Sequence, residues 1–248
     1  GKTHIEKSLQ ILRNLDDKEG IAEILYNLGK AFERFGNYEK SKELYIEALE
    51  YFKGLRNDIT ANAVNDLGVI LGELGELGDA KNHFEDALKM YKEIGEKSGE
   101  ANSLNNLGVV SIKLGHQNKA KTSLEEALEL QTEIKDIKGL VGTFNNLGVV
   151  LSIKGDYEKA DDLFIKSLQQ TRAIKKTDEI WSNEKIKKIL KNIANVRFII
   201  NNLLDDLLEY VPDNTTLEEI QILKGWRTIR DGHIMASQGR WLEANKLI

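Results

Sequence analysis

A pattern of small and apolar residues recurs along this chain at an almost constant distance. A leucine followed by a glycine stands at Leu28, Leu67, Leu107 and Leu147, so the successive steps are 39, 40 and 40 residues. Around each pair, apolar residues fall at three- and four-residue steps, which favours helices over strands. A fixed period of this size is typical of a repeat array, in which each unit packs mainly against its neighbours.

Each period predicts two helices with one apolar face each. The faces are best seen in the third and fourth copies, with Leu104, Leu107, Gly108, Ser111 and Leu114 on a first helix and Ala160, Leu163, Phe164, Ser167 and Leu168 on a second helix. A glycine follows every repeat leucine by eight residues, at Gly36, Gly75, Gly115 and Gly155. Because glycine adopts a left-handed backbone at little cost, these positions are predicted to end the first helix.

Small residues are expected to let the two helices of each period approach closely, as Gly108 and Ala120 do in the third copy. A leucine or an aromatic residue seventeen positions after the repeat leucine is expected to fill the space above them. The resulting antiparallel hairpin cannot bury its apolar face alone and must stack on its neighbours.

Two stretches, GDYEKA at 155–160 and GNYEKS at 36–41, together with the Leu-Gly pairs, Phe164 and Ser167, resemble the tetratricopeptide repeat family. The resemblance covers residues 1–177 well and 178–248 loosely. It implies an all-α, right-handed superhelical solenoid of stacked antiparallel helical hairpins. The period exceeds the usual length of about 34 residues, and the proline that often closes the repeat is missing. Both departures resemble the long-period branch that includes kinesin light chains and bacterial peptide-pheromone receptors.

The repeat pattern divides the chain into two parts. Residues 1–177 are predicted to be a regular array of a partial N-terminal helix, over residues 5–17, and four repeats. Residues 178–248 are predicted to hold a degenerate repeat over Asp178–Val211, with Lys187 and Lys188 where Leu-Gly is expected. A truncated further repeat follows over Thr216–Ile248, in which GRWLEA at 239–244 matches GDYEKA at 155–160. We expect the chain to be a fragment that begins and ends inside repeats; natural capping helices at both ends are the alternative.

Composition excludes several classes of protein. Apolar residues make up 41% of the 248 residues and charged residues 30%, which is too apolar for disorder. The net charge of −5 argues against a general nucleic-acid binder, and the absence of cysteine excludes disulfides and thiolate metal sites. No apolar run approaches the roughly 18–20 residues of a membrane span. We expect a cytoplasmic protein.

No catalytic constellation emerges from the sequence. The four histidines are far apart, and His83, with Asp79 and Asp86 at helical spacing, is better explained by a solvated helix face. The sequence therefore predicts no enzyme, cofactor or metal site. A basic cluster that includes Lys188, Lys191 and Arg197 is expected to be a solvated face, with an acidic partner or nucleic acid as the alternative.

Asparagines recur on the first helix of the repeats, although asparagine is a poor residue inside a helix. In the long-period relatives, first helices line a concave groove in which asparagines hold peptide backbones. By this resemblance the candidate peptide-binding residues are Asn65, Asn102, Asn105, Asn106, Asn145 and Asn146. Val69, Val109 and Val149 are expected on the same side. The alternative is that the asparagines bond only to one another or to neighbouring helices, as an internal ladder.

These observations predict a non-catalytic protein–protein interaction module that binds a peptide or protein segment in a concave groove. The predicted partner is a protein or peptide ligand, and neither nucleic acid nor membrane. The alternative is a sensor or regulatory arm of a larger signalling protein, such as an ATPase or a transcription regulator. Self-association through exposed repeat ends is a third hypothesis, because the end of an array leaves an apolar face uncovered.

Overall fold

In a computed structural model of the protein, residues 2–53, 57–174, 185–186, 188–197 and 199–200 are described. The regular elements in these ranges are helices, as predicted. Their bounds are α1 Lys2–Asn14, α2 Lys18–Arg34, α3 Tyr38–Tyr51, α4 Asp58–Glu73, α5 Leu77–Ile94, α6 Lys97–Lys113, α7 Gln117–Glu133, α8 Ile137–Ile153 and α9 Tyr157–Ile174. We call α2, α4, α6 and α8 the first helices, and α1, α3, α5, α7 and α9 the second helices.

The chain divides into two compact units, Gly1–Val150 and Leu151–Ile248. In the first unit, each first helix packs on the second helix that follows it, as α2 does on α3, α4 on α5 and α6 on α7. The second helices α1, α3 and α5 also pack on the next first helix, and α4 contacts both α2 and α6. The predicted stack of helical hairpins is confirmed. Successive first helices therefore lie beside one another.

Glycine ends the first helices where the spacing predicts it. Gly36, Gly75, Gly115 and Gly155 have φ angles of 72°, 85°, 76° and 82°, in the left-handed region. The second helix then starts at once. In the first hairpin, the Asn37 side chain caps α3 by accepting a hydrogen bond of 3.2 Å from the backbone nitrogen of Lys40. Within the first unit, the turns at Gly36, Gly75 and Gly115 join pairs of helices that pack on each other as hairpins.

In the hairpins α2–α3, α4–α5 and α6–α7, the glycine after the repeat leucine lies close against the second helix. A Cβ atom added to Gly108 would lie 2.5 Å from Cγ of Leu124, and one added to Gly68 would lie 2.8 Å from Cε1 of Phe84. The expected close approach is confirmed. The residue seventeen positions after the leucine lies directly against the glycine, and both Leu124 and Phe84 are buried.

The second unit is described by α9 and by helical residues within 185–200. Ile189 and Val196 are buried. Arg197 makes a two-pronged ion pair with Asp161 of α9, with its Nε 3.0 Å from Oδ1 and its Nη2 2.9 Å from Oδ2. One member of the predicted basic cluster therefore has an internal partner. The predictions for residues 178–184, 187 and 201–248 lie outside the described residues.

Candidate functional site: a polar ladder on the first helices

Asparagines of the first helices form hydrogen bonds from one repeat to the next. Nδ2 of Asn106 on α6 donates to Oδ1 of Asn65 on α4 over 3.2 Å. Nδ2 of Asn146 on α8 donates to Oδ1 of Asn105 on α6 over 3.1 Å. In both pairs the donor follows the acceptor by 41 residues, so the same bond is made twice. The internal ladder that the sequence left as an alternative is present.

Two hydroxyl groups complete these rungs. Oγ of Ser103 donates to Oδ1 of Asn65 over 3.3 Å, and Oγ1 of Thr143 donates to Oδ1 of Asn105 over 3.2 Å. Both hydroxyl residues are buried. Each of the two acceptor oxygens thus receives two hydrogen bonds, which matches the two lone pairs of an amide oxygen. A rung therefore consists of one amide oxygen, one amide nitrogen and one hydroxyl.

The rung between α2 and α4 has a different chemistry at the same positions. The Tyr26 hydroxyl donates to Oδ2 of Asp66 over 2.8 Å. Nζ of Lys30 lies 3.5 Å from the Tyr26 hydroxyl and 5.2 Å from the centre of its ring. We call the three rungs the polar ladder; its residues are Tyr26, Asn65, Asp66, Ser103, Asn105, Asn106, Thr143 and Asn146.

Burial shapes the electrostatics of the first rung. Burial raises the pKa of Asp66 above its ordinary value, and the hydrogen bond from Tyr26 opposes this rise only in part. Burial also raises the pKa of the nearby Glu33, which accepts a 2.7 Å hydrogen bond from the Tyr45 hydroxyl. The pKa of Tyr26 is raised, first by burial and then by the Asp66 carboxylate. This end of the ladder therefore carries carboxylates that favour protonation.

We expect an Asp66→Asn variant to gain stability relative to the wild type as the pH rises from about 4 to about 7. Folding raises the pKa of Asp66 above 3.8, so the folded state keeps a proton that the unfolded state has lost. Stability then falls as the pH rises through that window, and the asparagine variant escapes this loss. Thermal unfolding of both proteins at the two pH values measures the difference.

The reciprocal substitution, Asn106→Asp, is the matched control for Asp66→Asn. It removes the nitrogen that donates to Asn65 and sets a carboxylate beside an amide oxygen, so we expect a loss of about 1–3 kcal/mol at neutral pH. That loss should shrink in acid, where the new carboxyl is protonated. A pH-independent difference in both variants would contradict this account of the rung.

The six candidate residues differ in exposure. Asn65 is 8% and Asn145 5% exposed, Asn105, Asn106 and Asn146 are half-buried, and Asn102 is exposed. The ladder joins Asn65 to Asn106 and Asn105 to Asn146, while Nδ2 of Asn145 lies 3.4 Å from Oδ1 of Asn146. Asn102 lies outside the ladder.

One first helix presents polar groups that the ladder does not use. On α6, Asn102, Asn105, Asn106 and Val109 lie at steps of three and four residues and so share one face. The ladder uses Oδ1 of Asn105 and Nδ2 of Asn106. It leaves Nδ2 of Asn105, Oδ1 of Asn106 and the whole Asn102 amide with capacity for further hydrogen bonds. Both donors and acceptors are therefore available on this face.

Four members of the ladder, namely Tyr26, Asp66, Ser103 and Thr143, are not among the residues that the sequence predicts. Ser103 and Thr143 both stand four residues before a repeat leucine, and Tyr26 and Asp66 stand at the positions of Asn65 and Asn106 in their own repeats. A shared offset was thus the available signal. The shared offset predicts that these residues occupy equivalent positions, but it does not predict which of their atoms form hydrogen bonds.

Comparison with known families and structures gives one consistent result. Two family models described as tetratricopeptide repeat match the chain, one over residues 1–54 and 59–133 and the other over residues 140–174. The chain belongs to the tetratricopeptide repeat family. No curated protein sequence gives a significant match.

Solved structures share this tetratricopeptide fold. The crystal structure of BtubC (BKLC) from P. vanneervenii matches with a TM-score of 0.57 and 20% identity, covering 86% of this chain and 93% of that one. The apo form of RapI matches with a TM-score of 0.57 and 17% identity, covering 91% of this chain and 80% of that one. The predicted family and the solenoid of helical hairpins are confirmed.

Tetratricopeptide arrays are protein–protein interaction scaffolds, and family members of this architecture are typically not catalysts. Among the described residues, no group of three or more histidine, aspartate or glutamate side chains is arranged to hold a metal ion. None of the described helices has both the length and the apolar character that crossing a membrane requires.

Proposed function

We propose that this protein binds an extended peptide segment of a partner protein along the first helices, with α6 at the centre of the site. The observation that carries the proposal is the set of amide groups on α6 that the polar ladder leaves available. An extended peptide offers one N–H and one C=O per residue. Asn102, Asn105 and Asn106 together supply donors and acceptors for such a backbone.

The ladder supports this role by orienting the amides. A free asparagine side chain on a helix loses conformational entropy when it binds a ligand. Asn105 and Asn106 are each held by a bond to a neighbouring repeat, so part of that cost is already met on folding. Val69 on α4 and Val109 on α6 are half-buried, and each stands four residues after a ladder asparagine. They offer apolar contact to side chains of the bound segment.

This proposal modifies the expected role of the candidate residues. Asn65 is buried, and its oxygen receives two hydrogen bonds within the protein. We therefore assign Asn65 to the stacking of repeats, and Asn102, Asn105 and Asn106 to the ligand. A ligand role for Asn145 and Asn146 stays a prediction.

We expect Asn102→Ala to weaken peptide binding without changing stability. The test uses peptides selected from a random display library against the whole chain, with binding measured by isothermal titration calorimetry. Loss of one amide contact should lower affinity by roughly 5- to 30-fold, which corresponds to about 1–2 kcal/mol. The melting temperature should not move, because Asn102 is exposed and lies outside the ladder.

Asn105→Ala is the matched comparison, because it deletes an amide on the same helix face. It leaves Thr143 and Asn146 without their shared acceptor, so we expect it to cost about 1–3 kcal/mol of unfolding free energy as well as affinity. Selected peptides that bind Asn102→Ala and a Val109→Glu variant as tightly as the wild type would overturn the proposed site.

A further inference from the structure

A cavity of about 450 Å³ lies between the second helices α5 and α7 of the first unit. Leu107 and Ser111 of the first helix α6 are the buried part of its lining, and Ser123 of α7 belongs to its wall. Its volume falls in the range of roughly 300–1,000 Å³ that is typical of small-molecule sites. The cavity is therefore large enough for a small ligand.

Two serines distinguish this part of the third repeat from the other repeats. Ser111 stands four residues and Ser123 sixteen residues after the repeat leucine. The equivalent residues of the other repeats are all larger, namely Phe32, Leu71 and Leu151 for Ser111, and Leu44, His83 and Leu163 for Ser123. Leu44 and Leu71 are buried in the core of the first unit. The third repeat thus lacks two side chains that fill space between helices elsewhere in the array.

The serines also leave hydroxyl groups at the cavity without partners in the protein. Ser111 is only 5% exposed, yet its hydroxyl forms no hydrogen bond with any of the described residues. The hydroxyl of the half-buried Ser123 likewise has no partner among them. Buried polar side chains are normally hydrogen-bonded. Both hydroxyls are therefore free to donate a hydrogen bond to a ligand in the cavity.

Lysines line the cavity from both second helices, with Lys81 on α5 and Lys119 on α7. Nζ of Lys81 lies 3.0 Å from Oε1 of Glu85, which also lines the cavity. Lys119 has no ion-pair partner among the described residues. Because an ammonium group carries three donors, Lys81 can serve Glu85 and a ligand together. Two lysines against one carboxylate give the lining a positive charge.

We propose that this cavity binds an oxyanion, such as a phosphate group, carried on a short apolar body. The two lysines and the two serine hydroxyls are all donors, which suits an oxyanion, and bonds from ammonium groups to phosphate are strong. Leu107 offers apolar contact to the body of the ligand. We call these residues the anion pocket; they are Lys81, Leu107, Ser111, Lys119 and Ser123.

The anion pocket is separate from the proposed peptide site. Successive residues of a helix are about 100° apart around its axis. Leu107 and Ser111 therefore lie on the opposite side of α6 from Val109. Binding of an oxyanion and binding of a peptide can thus succeed or fail independently, and each is measured with its own ligand.

Isothermal titration calorimetry of the whole 248-residue chain with phenyl phosphate tests the anion pocket. We expect saturable binding of one molecule per chain that weakens as salt is added. Inorganic phosphate should bind about tenfold less tightly or worse, because it lacks the ring that covers Leu107. Phenol, which lacks the charge, should not bind at the same concentrations. Phenol that binds as tightly as phenyl phosphate, or phenyl phosphate that shows no saturable binding, would overturn the proposal.

The amide of N-acetyl phosphotyrosine distinguishes two sources of such a ligand. Binding as tight as that of phenyl phosphate would support the pocket and assign it to a phosphorylated side chain of a partner. If phenyl phosphate binds and the larger compound is excluded, the pocket is supported as a site for a free small molecule.

Two variants locate the binding of phenyl phosphate. Ser111→Leu introduces the residue that Leu71 provides in the second repeat, so it should fill the pocket and abolish binding while helical circular dichroism stays unchanged. Lys119→Ala should raise the dissociation constant by roughly tenfold or more. Lys121→Ala is its matched control, because Lys121 lies on the same helix, pairs with Glu125 and is outside the pocket. Equal effects of the two alanine variants would refute the pocket.

Discussion

Leu107→Asp is expected to lower the free energy of unfolding by about 3–5 kcal/mol. The Leu107 side chain is 7% exposed and belongs to the continuous core of the first unit, together with Leu67 and Val110. An aspartate there either buries a carboxylate among apolar groups or opens the contact between α6 and its neighbours. Urea denaturation followed by circular dichroism measures the loss.

The volume-conserving variant Leu107→Met separates packing from charge. Methionine fills a similar space without a polar group, so its cost should stay below about 1.5 kcal/mol. A Leu107→Asp protein that melts like the wild type would mean that Leu107 does not face the core. The alignment of the four repeats would then be wrong by at least one helical position.

The fold was predictable because it depends on residues whose role is local. Gly75 and Gly115 end helices through their own backbone conformation, and a short turn then forces the next helix to run antiparallel. The spacing of such glycines, repeated at almost constant distance, is enough to predict a stack of hairpins. No long-range contact had to be guessed.

The candidate site was predictable only in part, because an asparagine side chain can serve either a ligand or a neighbouring helix. Asn65 and Asn102 look alike in sequence, because each stands three residues from another asparagine on a first helix. Their difference arises from the stacking of repeats, which brings Asn106 and Ser103 to Asn65 and leaves Asn102 in solvent. The offset between neighbouring first helices cannot be predicted from the repeat length alone.

The Tyr26–Asp66 rung shows the same limit. Neither residue is an asparagine, although the equivalent residues in other repeats are, so a search for recurring asparagines does not find them. Their hydrogen bond spans 40 residues, close to the 41 of the asparagine rungs. Position within the repeat, rather than residue type, is what the ladder conserves from rung to rung within this chain.

Enlarging Gly108 tests the closest contact in the third hairpin. Gly108→Leu is expected to cost about 3 kcal/mol or more, because even the Cβ atom would lie 2.5 Å from Cγ and 2.7 Å from Cδ2 of Leu124. Leu124 is 0% exposed, so its side chain is enclosed by other residues. The helices α6 and α7 must then separate, which also disturbs the ladder on α6. Thermal and urea unfolding report the loss.

A double-mutant cycle assigns that cost to the named contact. Gly108→Ala alone should cost about 1–3 kcal/mol through overpacking, and Leu124→Ala alone about 2–5 kcal/mol through the cavity that it leaves. In the double variant the new methyl group occupies part of that cavity. The loss of unfolding free energy in the double variant should therefore fall short of the sum of the two single losses by about 0.5–3 kcal/mol. Strictly additive losses would show that Gly108 and Leu124 do not meet, and the hairpin geometry derived from the repeat spacing would fail with them.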